Sequence, residues 1–118
     1  MENSALKMYE AFIDRLVKYC EGCCNKWIKE KEYPKTPENK EINSLLDSLT
    51  DKQKDILVKM MINYRVSGIH DVLAMMDEMI DCDGLVITQN GQIYPTDTFE
   101  SMHYDFICRY EGDSWPEE

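Results

Sequence analysis

The chain has 118 residues, 43% of them hydrophobic, and a formal net charge of −10. This composition excludes a disordered polyelectrolyte and favours one globular domain over residues 1–118. No apolar run approaches the roughly 20 residues of a membrane span, and the first residues lack the basic-then-apolar order of a signal peptide. We therefore expect a cytoplasmic protein without a membrane partner.

The charge is divided unevenly along the sequence. Residues 1–67 carry twelve Lys and Arg against eleven Asp and Glu, whereas residues 68–118 carry twelve acids and one base, Arg109. Both histidines, His70 and His103, lie in the acidic part. A negative field repels phosphate backbones and attracts cations and basic peptides, so we expect no nucleic-acid partner.

Apolar residues spaced by three and four predict a first helix from Ser4 to Ile28, which bends or stops near Gly22 and then resumes. Thr36-Pro37-Glu38 predicts the start of a second helix that runs to about Leu49. The predicted buried residues of the second helix are Ile42, Leu45, Leu46 and Leu49.

A capping box of Thr50 and Gln53 predicts the start of a third helix, which ends around Ser67 with Gly68 as its left-handed cap. A fourth helix follows at once and stops before Gly84. Two helices joined so closely are expected to turn a sharp corner at Gly68. The apolar residues that recur along the predicted third helix are Ile56, Leu57, Met60, Met61 and Tyr64.

Residues 85–94 predict a β-hairpin, because Asn90-Gly91 tolerates the positive φ angles of a tight turn. Residues 98–110 fit both a helix and a strand. We favour a helix capped by Asp97, in which Asp105 and Arg109 form an i,i+4 ion pair. The predicted fold class is mostly α (α+β), with about four to five helices packed as a small bundle and one hairpin near residues 85–94.

His70 is predicted to head an acidic helix face. Its face-mates are Ala74, Asp77, Glu78 and Asp81. Adjacent residues on a helix do not face each other, so His70 and Asp71 are not expected to form a dyad. An imidazole in this position could act as a base or as a ligand oriented by the acids, although a charged run is more often a solvated face.

The second histidine depends on the assignment of residues 98–110. On the predicted helix, His103 lies beside Met102 and Phe106, where an imidazole needs a hydrogen-bond partner but no function. On the alternative strand, His103, Asp105 and Arg109 would share one face and favour a site. Trp115, in a polar tail, is expected to fold back on the hairpin or the fourth helix, or to serve at an interface.

The remaining motifs favour neither a metal nor a cofactor. The five cysteines are an odd number, and the cluster at residues 20–24 lacks the second ligand pair of a zinc site. Cys20 and Cys24 are therefore predicted to be core residues within the first helix. Residues 79–84 lack the first ligand and the closing Glu of a calcium loop. No nucleotide-binding or hydrolase motif is present.

Two segments carry a family resemblance: GIHDVL at residues 68–73, and YDFICRYEGDSWPE at residues 104–117 after the hairpin. Together with Tyr33-Pro34 and the TPEN run at residues 36–39, they resemble a family of small bacterial proteins known only as a domain of unknown function. The resemblance implies a bacterial, cytosolic, single-domain protein and carries no activity.

We expect a non-enzymatic binding or regulatory module that recognises a basic or cationic partner, which could be another protein or a second copy of the chain. The candidate binding residues are His70, Asp77, Asp81, Asp105, Arg109 and Trp115. The alternative is a small-molecule or metal-dependent enzyme with His70, Asp71, His103 and Arg109 around one pocket. A third hypothesis is an acidic inhibitor that mimics nucleic acid with a row of Asp77, Glu78, Asp81 and Asp83.

Overall fold

The structure is a computed structural model that describes residues 4–20, 24–30, 32–96 and 98–116. These residues form five α-helices, one 3-10 turn and one antiparallel hairpin, which confirms the predicted fold class. The helices are α1 (Ser4–Lys18), α2 (Cys24–Lys29), α3 (Lys40–Ser48), α4 (Asp51–Cys82) and α5 (Met102–Tyr110), and the strands are β1 (Thr88–Gln89) and β2 (Gln92–Ile93). None of the described helices is long and apolar enough to span a membrane.

The chain divides into two compact units. Unit 1 comprises residues 1–19 and 67–118, and unit 2 comprises residues 20–66. The long helix α4 contributes residues 51–66 to unit 2 and residues 67–82 to unit 1. That residues 1–118 form one domain stays a prediction.

Unit 1 is built on contacts between α1 and α5. One face of α1 is buried because its apolar residues recur at three and four positions. The hairpin joins this core through Tyr94. Its ring packs edge-on against the ring of Tyr9, with centroids 5.9 Å apart, and tilted against the ring of Phe12, with centroids 5.4 Å apart. The buried apolar residues of unit 1 are Leu6, Tyr9, Ile13, Leu73, Tyr94, Met102 and Phe106.

Unit 2 has a small apolar core of Ile28, Leu46 and Val58. Of the four residues predicted to be buried in the second helix, only Leu46 is buried; Ile42 and Leu45 are exposed. On α4, Ile56, Met60 and Tyr64 are likewise exposed. The burial prediction for the second helix was wrong because that helix carries apolar residues on more than one face, and periodicity does not show which face meets the core.

The predicted corner at Gly68 is also wrong, because α4 is continuous from Asp51 to Cys82. Gly68 does not have a positive φ, and a Cβ atom there would meet nothing within 4 Å. A helical glycine costs only about 1 kcal/mol relative to alanine. The helix-forming residues on both sides therefore carry the helix through this position, and Gly68 is not a cap.

Both ends of α4 lie where the sequence predicts a helix start and a helix end. At its start, the Thr50 amide donates to Gln53 Oε1 at 2.9 Å and the Gln53 amide donates to Thr50 Oγ1 at 3.1 Å, which confirms the capping box. At its end, Gly84 has φ of +74° and the Leu85 amide donates to the Met79 carbonyl at 3.1 Å. The helix therefore ends before Gly84, as predicted.

Three further boundaries test the predicted elements. The interruption of the first helix is confirmed, since α1 ends at Lys18 and α2 begins at Cys24, with Gly22 outside the described residues. Cys20 is buried as predicted, but it follows α1 instead of lying within a helix, and the side chain of Cys24 is not described. The second helix starts with a 3-10 turn, Pro37–Asn39, and the Thr36 side chain makes no cap bond.

The hairpin and α5 complete unit 1. Asn90 and Gly91 have φ of 52° and 77°, and Thr88 pairs with Ile93, so the predicted turn is confirmed. Residues 102–110 are helical, as favoured over a strand. The predicted start near residue 98 is wrong, because Ser101 caps α5 by accepting a bond from the Tyr104 amide at 3.4 Å. Asp97 lies outside the described residues.

Candidate functional site

A pocket of about 460 Å³ opens in unit 1 beside α5. Its walls are one side of α5, the segment before that helix and the residues that follow it. Its apolar lining includes Phe99, Trp115 and Pro116, and its polar lining includes Glu100, Tyr104, Asp105, Cys108, Arg109 and Asp113. The volume lies within the usual range for a small-molecule site.

Trp115 forms one wall of the pocket. It folds back as predicted, but its contacts are to Phe99 and to α1 instead of the hairpin or the fourth helix. Its ring stacks on Phe99 with centroids 5.3 Å apart and lies 6.1 Å from the ring of Tyr9. Its Nε1–H donates to Asp14 Oδ2 at 3.2 Å. The half-buried indole is therefore held in place by both stacking and a hydrogen bond.

Arg109, the only base in residues 68–118, is paired with α1. Its Nε donates to Asp14 Oδ1 at 2.7 Å and its Nη2 to Asp14 Oδ2 at 3.3 Å, while Nη1 donates to the Asp113 carbonyl at 2.9 Å. The guanidinium also lies 5.2 Å from the ring centre of Trp115. The predicted pair with Asp105 is wrong, because a two-point carboxylate contact is stronger than an i,i+4 pair.

The two carboxylates at the pocket rim have no such partner. In residues 4–20, 24–30, 32–96 and 98–116, no Lys or Arg side chain forms an ion pair with the carboxylate of Glu100 or Asp113, and both residues are exposed. The pKa of Tyr104 is raised by its hydrogen bond to Cys108 and, to a smaller extent, by the charges of Glu100 and Asp113. The rim therefore has negative potential around this phenol.

Asp105 lines the pocket but is directed into the core. It is buried, and its Oδ2 accepts a hydrogen bond of 2.5 Å from Tyr9 Oη. Burial raises the pKa of Asp105, and the bond from Tyr9 offsets part of that rise. The pKa of Tyr9 is raised by burial and by its bond to Asp105. The pair links α1 to α5 and fixes one wall of the pocket.

The two histidines lie close together, at a different place in unit 1. His103 Nδ1 is 2.5 Å from Asp77 Oδ2, and His70 Nδ1 is 3.2 Å from Asp71 Oδ1. Their rings are perpendicular, with centroids 5.2 Å apart. The expectation that His70 and Asp71 would not meet is wrong, because both side chains are long enough to reach around the helix. Neither histidine lines the pocket.

Asp77 organises this cluster. It is a buried carboxylate of α4, and it accepts bonds from the amides of Met102 at 3.1 Å and His103 at 3.0 Å, the first two residues of α5. It therefore caps α5 from another helix. Because Asp77 is buried, it cannot belong to an exposed acidic row with Glu78, Asp81 and Asp83, which are all exposed.

The structure thus brings together three of the four candidate catalytic residues, His70, Asp71 and His103, and places Arg109 with Asp14. Among the described side chains, no group of three or more His, Cys, Asp or Glu could hold a metal ion. Sequence reasoning missed several pocket residues, namely Phe99, Glu100, Tyr104 and Asp113. It also missed Asp14, which does not line the pocket but accepts bonds from Arg109 and Trp115. Asp14 carries no local signal, since its partner Arg109 is 95 residues away.

The fold and the pocket define a small, mostly α-helical protein with an acidic, aromatic-lined cavity. The chain belongs to a family of unknown function, DUF6547, whose model matches residues 2–117. No curated protein and no solved structure matches it significantly. The match confirms the resemblance to a family of unknown function, and it carries no activity.

Proposed function

We propose that the protein is a binding module that recognises a basic or cationic ligand in the pocket of unit 1. The observation that carries this proposal is the charge of the pocket. Glu100 and Asp113 lie at the rim without an ion-pair partner among the described residues, while the one base of the lining, Arg109, is held by Asp14. A bound cation would supply the positive charge that pairs with these two carboxylates.

The lining also indicates the shape of the ligand. Phe99 and Trp115 offer ring surface for an apolar stem, and the carboxylates of Glu100 and Asp113 accept hydrogen bonds from an ammonium or a guanidinium group. A lysine or arginine side chain has this combination of stem and charged head. The ligand class that fits best is therefore a short basic peptide or an organic polyamine.

The charge of the surrounding protein supports the same ligand class. Unit 1 has a net charge of −11, whereas unit 2 has +1. Such a field concentrates cations near unit 1 and accelerates their encounter with the pocket. Long-range attraction of this kind weakens as salt screens it, so binding should fall with ionic strength.

Calorimetric titration with tetralysine tests the proposal. We expect the double substitution Glu100→Gln with Asp113→Asn to weaken binding by about tenfold or more, because it removes both rim carboxylates. The matched control is Asp81→Asn with Asp83→Asn, which removes the same charge from exposed residues at the end of α4 and beyond it. Equal weakening by the two doubles would indicate only a long-range field and would contradict the pocket.

A further inference from the structure

Arg109 has the same charge as the ligand that the pocket is proposed to bind. Its side chain belongs to the pocket lining, and its Nη1 already donates to the carbonyl of Asp113 at 2.9 Å. A cationic group that is tethered beside a cation site competes with a free ligand at a high effective concentration. The pocket can therefore take up a ligand only if another group holds this guanidinium elsewhere.

The acids of the lining differ in their availability to Arg109. They are Glu100, Asp105 and Asp113. Asp105 is buried and accepts the bond from Tyr9. Glu100 and Asp113 are exposed, and neither forms an ion pair with a Lys or Arg side chain of the described residues. These two rim carboxylates are thus the acceptors that Arg109 would turn to if it lost its present partner.

The present partner is Asp14 on α1. Nε and Nη2 of Arg109 donate to its two carboxylate oxygens at 2.7 and 3.3 Å, and both side chains are half-buried. A two-point bond of this kind, partly shielded from water, is stronger than a pair between exposed side chains. Asp14 does not itself line the pocket. Its influence on the site therefore passes through the residues that it binds.

We propose that Asp14 is a positioning residue that keeps the Arg109 guanidinium away from Glu100 and Asp113, so that these carboxylates stay free for a cationic ligand. The inference rests on the function proposed for the pocket. Without the charge of Asp14, the guanidinium would be half-buried without a counter-ion, which favours its movement to the rim carboxylates. The bond from Trp115 Nε1 to Asp14 Oδ2 ties the aromatic wall to the same carboxylate.

Calorimetric titration with tetralysine separates this role from a structural one. We expect Asp14→Asn to weaken binding about tenfold, because it releases the competing base, and Arg109→Gln to tighten binding about threefold, because it removes that base. The double substitution Asp14→Asn with Arg109→Gln should restore the wild-type affinity. The matched control is Glu10→Gln, which removes the same charge from α1 and releases Lys7, a base outside the lining, and it should weaken binding less than about threefold.

Two results of this titration would overturn the proposal. One is equal weakening by Asp14→Asn and Glu10→Gln, which would indicate only a change in the long-range field. The other is a double variant that binds as weakly as Asp14→Asn, since a bond that merely fastens α1 to α5 is lost in both variants.

The side-chain NMR signals of arginine test the same role without a ligand. The Nε–H signal of Arg109 is assigned by its loss in Arg109→Gln. In Asp14→Asn this signal should shift, and adding Glu100→Gln and Asp113→Asn should shift it again, because the guanidinium then loses its new partners. A signal in Asp14→Asn that does not respond to the two rim substitutions would overturn the role of Asp14 even where tetralysine binds. Absence of tetralysine binding by the wild type would refute the proposed function, and with it this role, so the two failures are distinguishable.

Discussion

The two units of this chain are stabilised by different kinds of interaction. In unit 1, two buried carboxylates hold the elements together, since Asp77 accepts bonds from the start of α5 and Asp105 accepts one from Tyr9. In unit 2, a small apolar core is supported by short-range bonds, such as the reciprocal pair between the Asn43 side chain and the Tyr33 backbone at 2.9 and 3.1 Å. No carboxylate is buried in the part of unit 2 that the structure describes.

This difference follows the division of charge. Unit 1 carries a net charge of −11, and some of its acids serve the fold while Glu100 and Asp113 remain at the rim of the pocket. Unit 2 is nearly neutral and leaves apolar helix surface exposed. The two units therefore differ in surface chemistry: unit 1 has carboxylates at the rim of its pocket, and unit 2 has apolar helix residues exposed.

The largest expected effect concerns the core of unit 2. Leu46→Ala should lower the free energy of unfolding by about 3 kcal/mol, because it removes a buried side chain from a small core. The matched control is Leu45→Ala on the same helix, where the residue is 56% exposed and the loss should stay below about 0.5 kcal/mol. Urea denaturation measures both. Equal losses would contradict the assignment of the buried face.

A smaller loss is expected when the polar network of unit 1 is broken at Asp77. Asp77→Ala should lower the free energy of unfolding by about 2 kcal/mol, because two amides at the start of α5 lose their acceptor and His103 loses its partner. Glu78→Ala, at the exposed neighbouring position, is the control and should change stability little. Thermal unfolding compares them, and a stable Asp77→Ala variant with intact α5 would refute the capping role.

The smallest expected effect has a pH signature that only unit 1 should show. Tyr9→Phe should cost about 1 kcal/mol at neutral pH, because Asp105 loses a hydrogen-bond donor. Folding keeps Tyr9 protonated above its ordinary pKa of 10.0, so wild-type stability should fall as pH rises beyond 10.0, and Tyr9→Phe should reduce that fall. Denaturation curves at several alkaline pH values measure the effect, with Tyr110→Phe as the control. Identical pH slopes for wild type and Tyr9→Phe would contradict it.

Asp105 adds a second pH dependence of the same sign, in the acid range. Because burial raises the pKa of this carboxyl above its ordinary value of 3.8, the folded state binds more protons than the unfolded state just above pH 3.8. The contribution of Asp105 to stability is therefore greatest below pH 3.8 and falls as pH rises through the folded-state pKa. Asp105→Asn should make the free energy of unfolding depend less on pH in this acid range. An unchanged dependence of the free energy of unfolding on pH in this range would show that Asp105 does not titrate as described.

Features that depend on neighbouring residues could be predicted from the sequence. The capping box at Thr50 and Gln53 and the turn at Asn90-Gly91 follow from side-chain and backbone chemistry within four residues. The folding back of Trp115 follows from the cost of leaving an indole in water. These predictions needed no knowledge of which elements pack together.

Features that depend on tertiary contacts could not be predicted. Arg109 forms its ion pair with Asp14 and not with its helical neighbour Asp105, because α1 packs on α5. The pocket rim was missed for the same reason, since Glu100 and Asp113 line one pocket only when the segments on both sides of α5 come together. The continuity of α4 through Gly68 was missed because a glycine permits both a cap and a helix, and the choice is decided by the residues that flank it.

The measurement that tests the central claim most directly is a titration of the ¹⁵N-labelled protein with tetralysine, followed by NMR. The two tryptophans provide an internal comparison, because Trp115 lines the pocket in unit 1 and Trp27 lies in unit 2. We predict that the Trp115 indole signal and the amides of Glu100, Tyr104 and Asp113 shift in a saturable manner while the Trp27 indole signal does not move. Shifts that instead follow the exposed acids from Glu78 to Asp83, or no saturable shifts at all, would contradict a cation-binding pocket in unit 1.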